Sequence, residues 1–335
     1  MLLVVAAHSG IAGVAYGGAV GVTVFFTLSG FLITHLCLDQ LAARDRIDLQ
    51  RFYLRRTARL GPALLVMLAG AVLIGWAYGW SPGLITGHAM APLLYVADFV
   101  RAAGINLAPF DVTWSLAVEE QFYLVWPPLL LCLWGAGVRG RFLAWTVTVA
   151  ALAACGWHLA APATVGISWA YFFPDTNAFG LALGCAAACW LHAGRRIPAA
   201  VLGPAAGLVL AASLPGLYGP ATDGPLVPGV QLVAALLTVP LIAGLLDGSR
   251  LFSGRPLRLL GAVSYGWYLW HFTLITIGVL PWVPDPWRDP LTAGIGLLLA
   301  GLSWRWIEQP VLRFVRGREE REVLNETPAI AASSA

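Results

Sequence analysis

Lysine is absent from this 335-residue chain, and its 20 basic residues are all arginine. Charge of either sign is scarce, at 11% of residues. A soluble globular protein carries about 25% charged residues, so this chain lacks the polar groups to coat a water-facing surface. The longest polar stretch, Asp39 to Arg59, is too short to fold alone. The arginines fall in short clusters rather than one patch, which argues against nucleic acid as a partner. The five cysteines, Cys37, Cys132, Cys155, Cys185 and Cys189, are odd in number and lack metal-site spacing, which excludes a disulfide framework and a cysteine-held metal. They read as small packing residues. The start of the chain has no basic n-region, so it is not a cleavable signal peptide. No G-x-S-x-G elbow supports a serine hydrolase. No internal repeat supports an inverted-repeat transporter.

Hydrophobic residues make up 59% of the chain. They fall in runs of about 20 residues, long enough for a helix to cross a ~30 Å hydrocarbon core. Pro and Gly cut these runs into ten predicted spans: Met1–Tyr16, Ala19–Leu38, Ala63–Trp80, Trp114–Trp134, Phe142–Ala161, Thr176–His192, Ala199–Leu214, Val230–Leu246, Leu259–Leu280 and Leu291–Leu312. The weaker run Leu84–Val100 contains His88, Pro92 and Asp98. If it does not span, nearly every loop arginine falls on one side, with Arg101 and Arg288 opposite and Arg305 in the last span. If it spans, that asymmetry vanishes. The positive-inside rule therefore favours an all-α, polytopic membrane bundle of about ten transmembrane helices in the cell membrane, both termini cytoplasmic. Leu84–Val100 becomes a re-entrant or interfacial piece on the outer face. Residues 1–316 form one membrane-embedded domain, and residues 317–335 a disordered cytoplasmic tail.

Ionisable residues inside a span are costly and mark function. His8 sits among apolar neighbours, and an imidazole can take a proton from a hydroxyl as a general base. Its alternative is a helix–helix hydrogen bond. Glu119 and Glu120 lie about a turn and a half into a span from its outer end. Glu119 shares a helix face with Ser115 and Tyr123; it suits orienting an imidazole or a hydroxyl, or bonding another helix. Arg55, Arg56 and Arg59 build one basic face where the chain re-enters the bilayer, with Arg51 nearby. Forked guanidinium contacts suit phosphate, although a positive-inside cluster accounts for much of the pattern. Ser29-Gly30 at the centre of a span permits close packing or room for a ligand chain. Ser264, Tyr268 and His271 share one face of a late span, and His271 is a second candidate polar cavity residue. Glu308 ends the last span as an interfacial charge. His35, His88, His158 and His192 show no metal-ligand spacing with one another and receive no role.

Several stretches together resemble the acyltransferase 3 family of integral-membrane O-acyltransferases, which modify polysaccharides, lipids and macrolides. They are Phe25-Phe26 leading into Ser29-Gly30-Phe31-Leu32-Ile33, Arg56-x-x-Arg59, Trp114-Ser-Leu-x-x-Glu119, Ser264-Tyr265 with Tyr268-Leu269-Trp270-His271, and Glu308 with Pro310. The resemblance runs from His8 to Pro310. It implies transfer of an acyl group, usually acetyl, from acyl-CoA (acetyl-CoA) as co-substrate to an acceptor hydroxyl. No permanently bound cofactor is implied. It makes His8 catalytic, with Glu119 beside it. Arg56 and Arg59, helped by Arg51 or Arg55, take the donor's phosphates, and its thioester passes Ser29-Gly30. Glu120, Ser115, Tyr268 and His271 are acceptor or cavity residues. The family's basic residue about three turns before the histidine has no counterpart, because the sequence starts too late to hold it. The expected partners are the acyl-CoA donor, a hydroxyl-bearing carbohydrate, lipid-linked sugar or macrolide, and the lipid bilayer. The rival reading is a transporter or flippase using the same His, Glu and Arg residues as a path; a purely structural membrane subunit ranks behind both.

Overall fold

A computed structural model describes residues 1–9, 17–195, 202–211, 228–246 and 254–318. The described residues contain helices and connecting turns, with no strand. This follows from the solvent: in lipid, a helix satisfies its own backbone polar groups.

The helices are α1 (Leu2–His8), α2 (Gly17–Arg44), α3 (Leu49–Ala77), α4 (Pro82–Leu93), α5 (Ala97–Ala102), α6 (Trp114–Gly135), α7 (Gly140–Val165), α8 (Ile167–Phe172), α9 (Pro174–His192), α10 (Leu202–Ala211), α11 (Pro228–Leu246), α12 (Arg255–Ile277) and α13 (Arg288–Ser303). A 3-10 turn, Asp111–Thr113, precedes α6, and a π turn, Trp304–Glu308, follows α13. Helix continues over 309–318.

Every predicted span holds helix in its described part. Among the described residues, five segments are long and apolar enough to cross a membrane: Gly17–Arg44, Leu49–Ala77, Asp111–Gly135, Gly140–Val165 and Pro228–Leu246. The chain is thus a helical membrane protein. The other helices fall short in length, hydropathy or both. Residues 10–16 of the first predicted span lie outside the described residues, as do both flanks of α10 and residues 319–335 of the tail.

The run Leu84–Val100 is broken, as expected for a piece that does not cross. α4 has 12 residues and α5 has 6, so even α4 reaches only about 18 Å. Tyr95 between them takes a positive φ of 54°, which ends the helix. Asp98 of α5 is buried and accepts from Gln121 Nε2 at 3.0 and 3.1 Å. That bond pins the broken piece to α6.

Two apolar cores organise the described bundle. One joins α3, α12 and α13 and includes Val4 and Val5 of α1. The other joins α2, α6, α7 and α9. Helix α1 also packs on α2, so His8 lies where the two halves meet. The packing of α1 on α2 needs bare backbone. A side chain at Gly17 would sit 2.7 Å from the Leu3 carbonyl oxygen, and one at Gly21 would strike Val4. Large apolar side chains such as Phe142 and Leu298, 66% and 68% exposed, line the outside, as a lipid-facing surface requires.

Candidate active site

The His8 ring is held by a second imidazole. His8 Nδ1 lies 3.0 Å from His271 Nε2, the rings stack at 5.2 Å, and Phe272 packs edge-on against His8 at 4.8 Å. His271 is fully buried in α12, and its Nδ1 lies 3.0 Å from the Trp267 carbonyl oxygen. A carbonyl only accepts, so His271 carries its proton on Nδ1. A neutral imidazole has one donor and one acceptor nitrogen. His271 Nε2 therefore accepts from His8 Nδ1–H, and the lone pair of His8 is left on Nε2. That nitrogen faces α2, 3.7 Å from where a side chain at Gly18 would begin.

The lone pair opens on a cavity of about 160 Å³ walled by His8, Gly18, Trp114, Tyr171, Phe172 and Tyr268, with Arg101 and Asp111 also on its wall. Trp114 packs on Tyr171 at 5.2 Å and on Phe172 at 5.4 Å. Arg101 Nη1 lies 3.1 Å from Asp111, and its guanidinium lies 4.6 Å over Phe172. Arg101 Nε is buried without a partner among the described residues. Aromatic walls with a few fixed polar groups are the usual make-up of a small-molecule site. Tyr268 and Ser115 are bonded to each other at 2.6 Å, and Tyr268 Oη donates to Val112 O at 2.9 Å. This joins α12 to the start of α6.

A second polar cluster surrounds the arginine face of α3. Arg56 Nε lies 2.9 Å from Glu120 Oε1, and its guanidinium stacks 3.0 Å from the centre of the Tyr123 ring. Glu119 accepts from the Ser29 hydroxyl and lies in the field of Arg56 and Arg59. Arg59 also attracts Glu308. The π turn buries Glu308, which accepts from Ser303 Oγ at 2.9 Å. Such turns often mark functional positions. Tyr265 Oη is buried nearby without a partner among the described residues.

The expected residues therefore divide into two places. His8, His271, Tyr268 and Ser115 gather at the cavity. Arg56, Arg59, Ser29, Glu119 and Glu120 gather around α3. The imidazole partner of His8 is His271, where Glu119 was one expected partner. Arg56 is turned onto Glu120, while Arg55 and Arg59 are exposed. Asp48 caps α3 by accepting from the Arg51 backbone N–H, and the Arg51 side chain lies 3.8 Å from the same carboxylate. Gly30 offers no room for a ligand chain: a side chain there would collide with the Leu181 backbone of α9. Its bareness serves helix packing. Ser264 is half-buried and bonds back to Gly261 O at 2.8 Å, so of that face Tyr268 lines the cavity and His271 meets it through His8.

Arg101, Asp111 and Tyr171 received no role from the sequence. The signal for Arg101 was its position as one of two arginines on the arginine-poor side. A cavity of about 610 Å³ between α6, α7 and α9 holds none of the candidate residues. Its lining is apolar side chains such as Phe122, Val125 and Leu129, as suits contact with lipid.

The Arg56–Glu120 pair predicts a stability pattern. Both side chains are under 20% exposed, so Arg56→Met leaves an unpaired carboxylate and costs about 2–3 kcal/mol. Arg56→Met with Glu120→Gln recovers most of that loss. Thermal unfolding of the detergent-purified single and double variants measures it, and equal losses would contradict the pairing.

A family description for an acyltransferase domain matches residues 1–307. Peptidoglycan O-acetyltransferase OatA of Listeria monocytogenes is 34% identical over 329 residues, covering 89% of this chain and 52% of that protein. Putative peptidoglycan O-acetyltransferase YrhL of Bacillus subtilis is 30% identical, covering 89% and 51%. O-acetyltransferase OatA of Staphylococcus aureus is 30% identical, covering 88% and 53%. The chain spans about half the length of these curated relatives. No solved structure matches it. The motifs, the helical membrane fold and the match over most of its length agree that this chain belongs to the acyltransferase 3 family.

Proposed function

We propose that the protein is a membrane-bound O-acyltransferase that moves an acetyl group from acetyl-CoA to a hydroxyl of a cell-wall polysaccharide. The observation that carries this reading is the oriented His8–His271 pair, which aims a lone pair into a small aromatic cavity. The cavity also lies beside Arg101 and Asp111, which belong to the segment assigned to the outer face. The names of the relatives support acetyl as the group and peptidoglycan as the acceptor class.

The chemistry follows from the two ends of the site. The donor docks from the cytoplasmic side, with its phosphates on the exposed arginine face of α3. On the reading of ten crossings, the arginine balance puts this face on the cytoplasmic side. A sugar hydroxyl enters the outer cavity and stacks its ring on the aromatic wall. Arg101 Nε–H, which has no protein acceptor among the described residues, donates to a neighbouring hydroxyl. His8 Nε2 takes the proton of the reacting hydroxyl as its oxygen attacks the thioester carbonyl. The tetrahedral intermediate collapses with loss of the CoA thiolate, which recovers the proton from His8. Glu119, which accepts from Ser29, sits in the field of Arg56 and Arg59 between the two ends.

A transporter would use the same polar groups without breaking a thioester, and its path would not need the fixed tautomer of His8. The test is mass spectrometry of cell-wall digests from cells with and without the gene. An acetyl mass on saccharide fragments that disappears with the gene supports the proposal. Unchanged acetylation in both would contradict it.

A further inference from the structure

His35, Asp39 and His192 have no place in the chemistry above, yet the fold brings them together. His35 and Asp39 are one turn apart on α2, so their side chains share a face. His192 closes α9. His35 Nδ1 lies 3.0 Å from His192 Nε2, and His192 Nε2 lies 3.3 Å from Asp39 Oδ1. One ligand atom from each residue lies within 4.8 Å of the other two.

The geometry points to a divalent metal site, with Zn²⁺ as the ion it suits. Zinc takes imidazole nitrogen and carboxylate oxygen at about 2.0–2.2 Å in a tetrahedron. The edges of that tetrahedron are then about 3.3–3.5 Å. Two of the observed separations, 3.0 and 3.3 Å, lie at or just below that edge, so small side-chain movements admit the ion. A mixed imidazole–carboxylate set is borderline in softness, which favours zinc over magnesium or calcium.

The surroundings also hold the ligands in place. Phe31 stacks on His35 at 5.6 Å and 25°. Phe31 is itself packed into an apolar cluster with Ala188 and Ile242. Three protein ligands leave a fourth position, and Asp39 is 55% exposed, so water can fill it. Below the site, α2 and α9 already approach closely through Gly30 and Gly184. The ion fastens the ends of the same two helices, a positioning role that does not rest on the acyl-transfer reading.

The test uses tag-free full-length protein, purified in detergent and stripped with EDTA. Co²⁺ replaces Zn²⁺ as the probe, because its visible absorption reports tetrahedral coordination. Wild type should bind one Co²⁺ per chain with a tetrahedral spectrum that Zn²⁺ abolishes, and Zn²⁺ should raise its Tm. His192→Gln and Asp39→Asn should each weaken Co²⁺ binding at least about tenfold and lose the Zn²⁺-dependent rise in Tm. His88→Gln, far from the site, should bind as wild type does. The absence of a tetrahedral spectrum in wild type would overturn the site. So would wild-type affinity in both ligand variants. If a variant does not fold, the wild-type spectrum and its Tm response decide.

Discussion

Purified His8→Ala protein transfers acetyl groups about 10²–10⁴-fold more slowly than wild type, the usual contribution of a positioned general base. The loss falls on kcat. His8 lines the small aromatic cavity and is held there by His271 of α12, apart from the arginine face of α3, so the KM for acetyl-CoA changes little. The fold survives the change, because the ring leaves a small cavity against Phe272 and His271 rather than an unpaired charge. Steady-state assays with varied donor, run beside a thermal unfolding control, separate the two effects. A large rise in donor KM with kcat intact would move His8 from proton transfer to donor binding.

The second large effect belongs to His271. It acts through His8, so it is a positioning residue. Its Nε2 is the only described acceptor for His8 Nδ1–H, and its own tautomer is set by the Trp267 carbonyl. His271→Ala removes that acceptor. His8 can then turn or carry its proton on the nitrogen that faces the substrate, and kcat falls about 10²-fold or more, as for other catalytic imidazoles that lose their tautomer. His271→Gln supplies a carbonyl oxygen that accepts the same hydrogen bond, and it restores part of the rate. A purely structural His271 would give equal losses in both variants, tracking stability instead of the hydrogen bond.

The helices were legible because apolar runs broken by Pro and Gly leave few alternatives in lipid. Their ends were harder. The predicted spans leave residues 39–62 between them, but α2 runs on to Arg44 and α3 already begins at Leu49. Asp48 caps it by accepting from Arg51 N–H, and the arginines occupy its first turns. A hydropathy window sees the charges and misses the cap. The broken run at 84–100 was recognised from the arginine balance, a property of the whole chain rather than of the segment.

The site was legible as a set of residues but not as contacts. His8 and His271 were both marked by the cost of a polar group within a span. Their pairing joins positions 263 residues apart, which no helical spacing encodes. Glu120 and Arg56 met in the same way. Gly30 had two meanings in the sequence, close packing or room for a chain, and only the Leu181 backbone against it decides for packing. His35 and His192 failed a test of sequence spacing because their proximity is made by α2 and α9 lying together.

The most direct measurement of the central claim uses proteoliposomes of uniform orientation. Labelled acetyl-CoA is enclosed on the side of the α3 arginines, and a cell-wall oligosaccharide is added on the side of the Arg101 cavity. Wild type should place labelled acetyl on the external saccharide, and His8→Ala vesicles of equal protein content should do so about 10²–10⁴-fold more slowly. Transfer by folded His8→Ala protein at the wild-type rate would contradict the account.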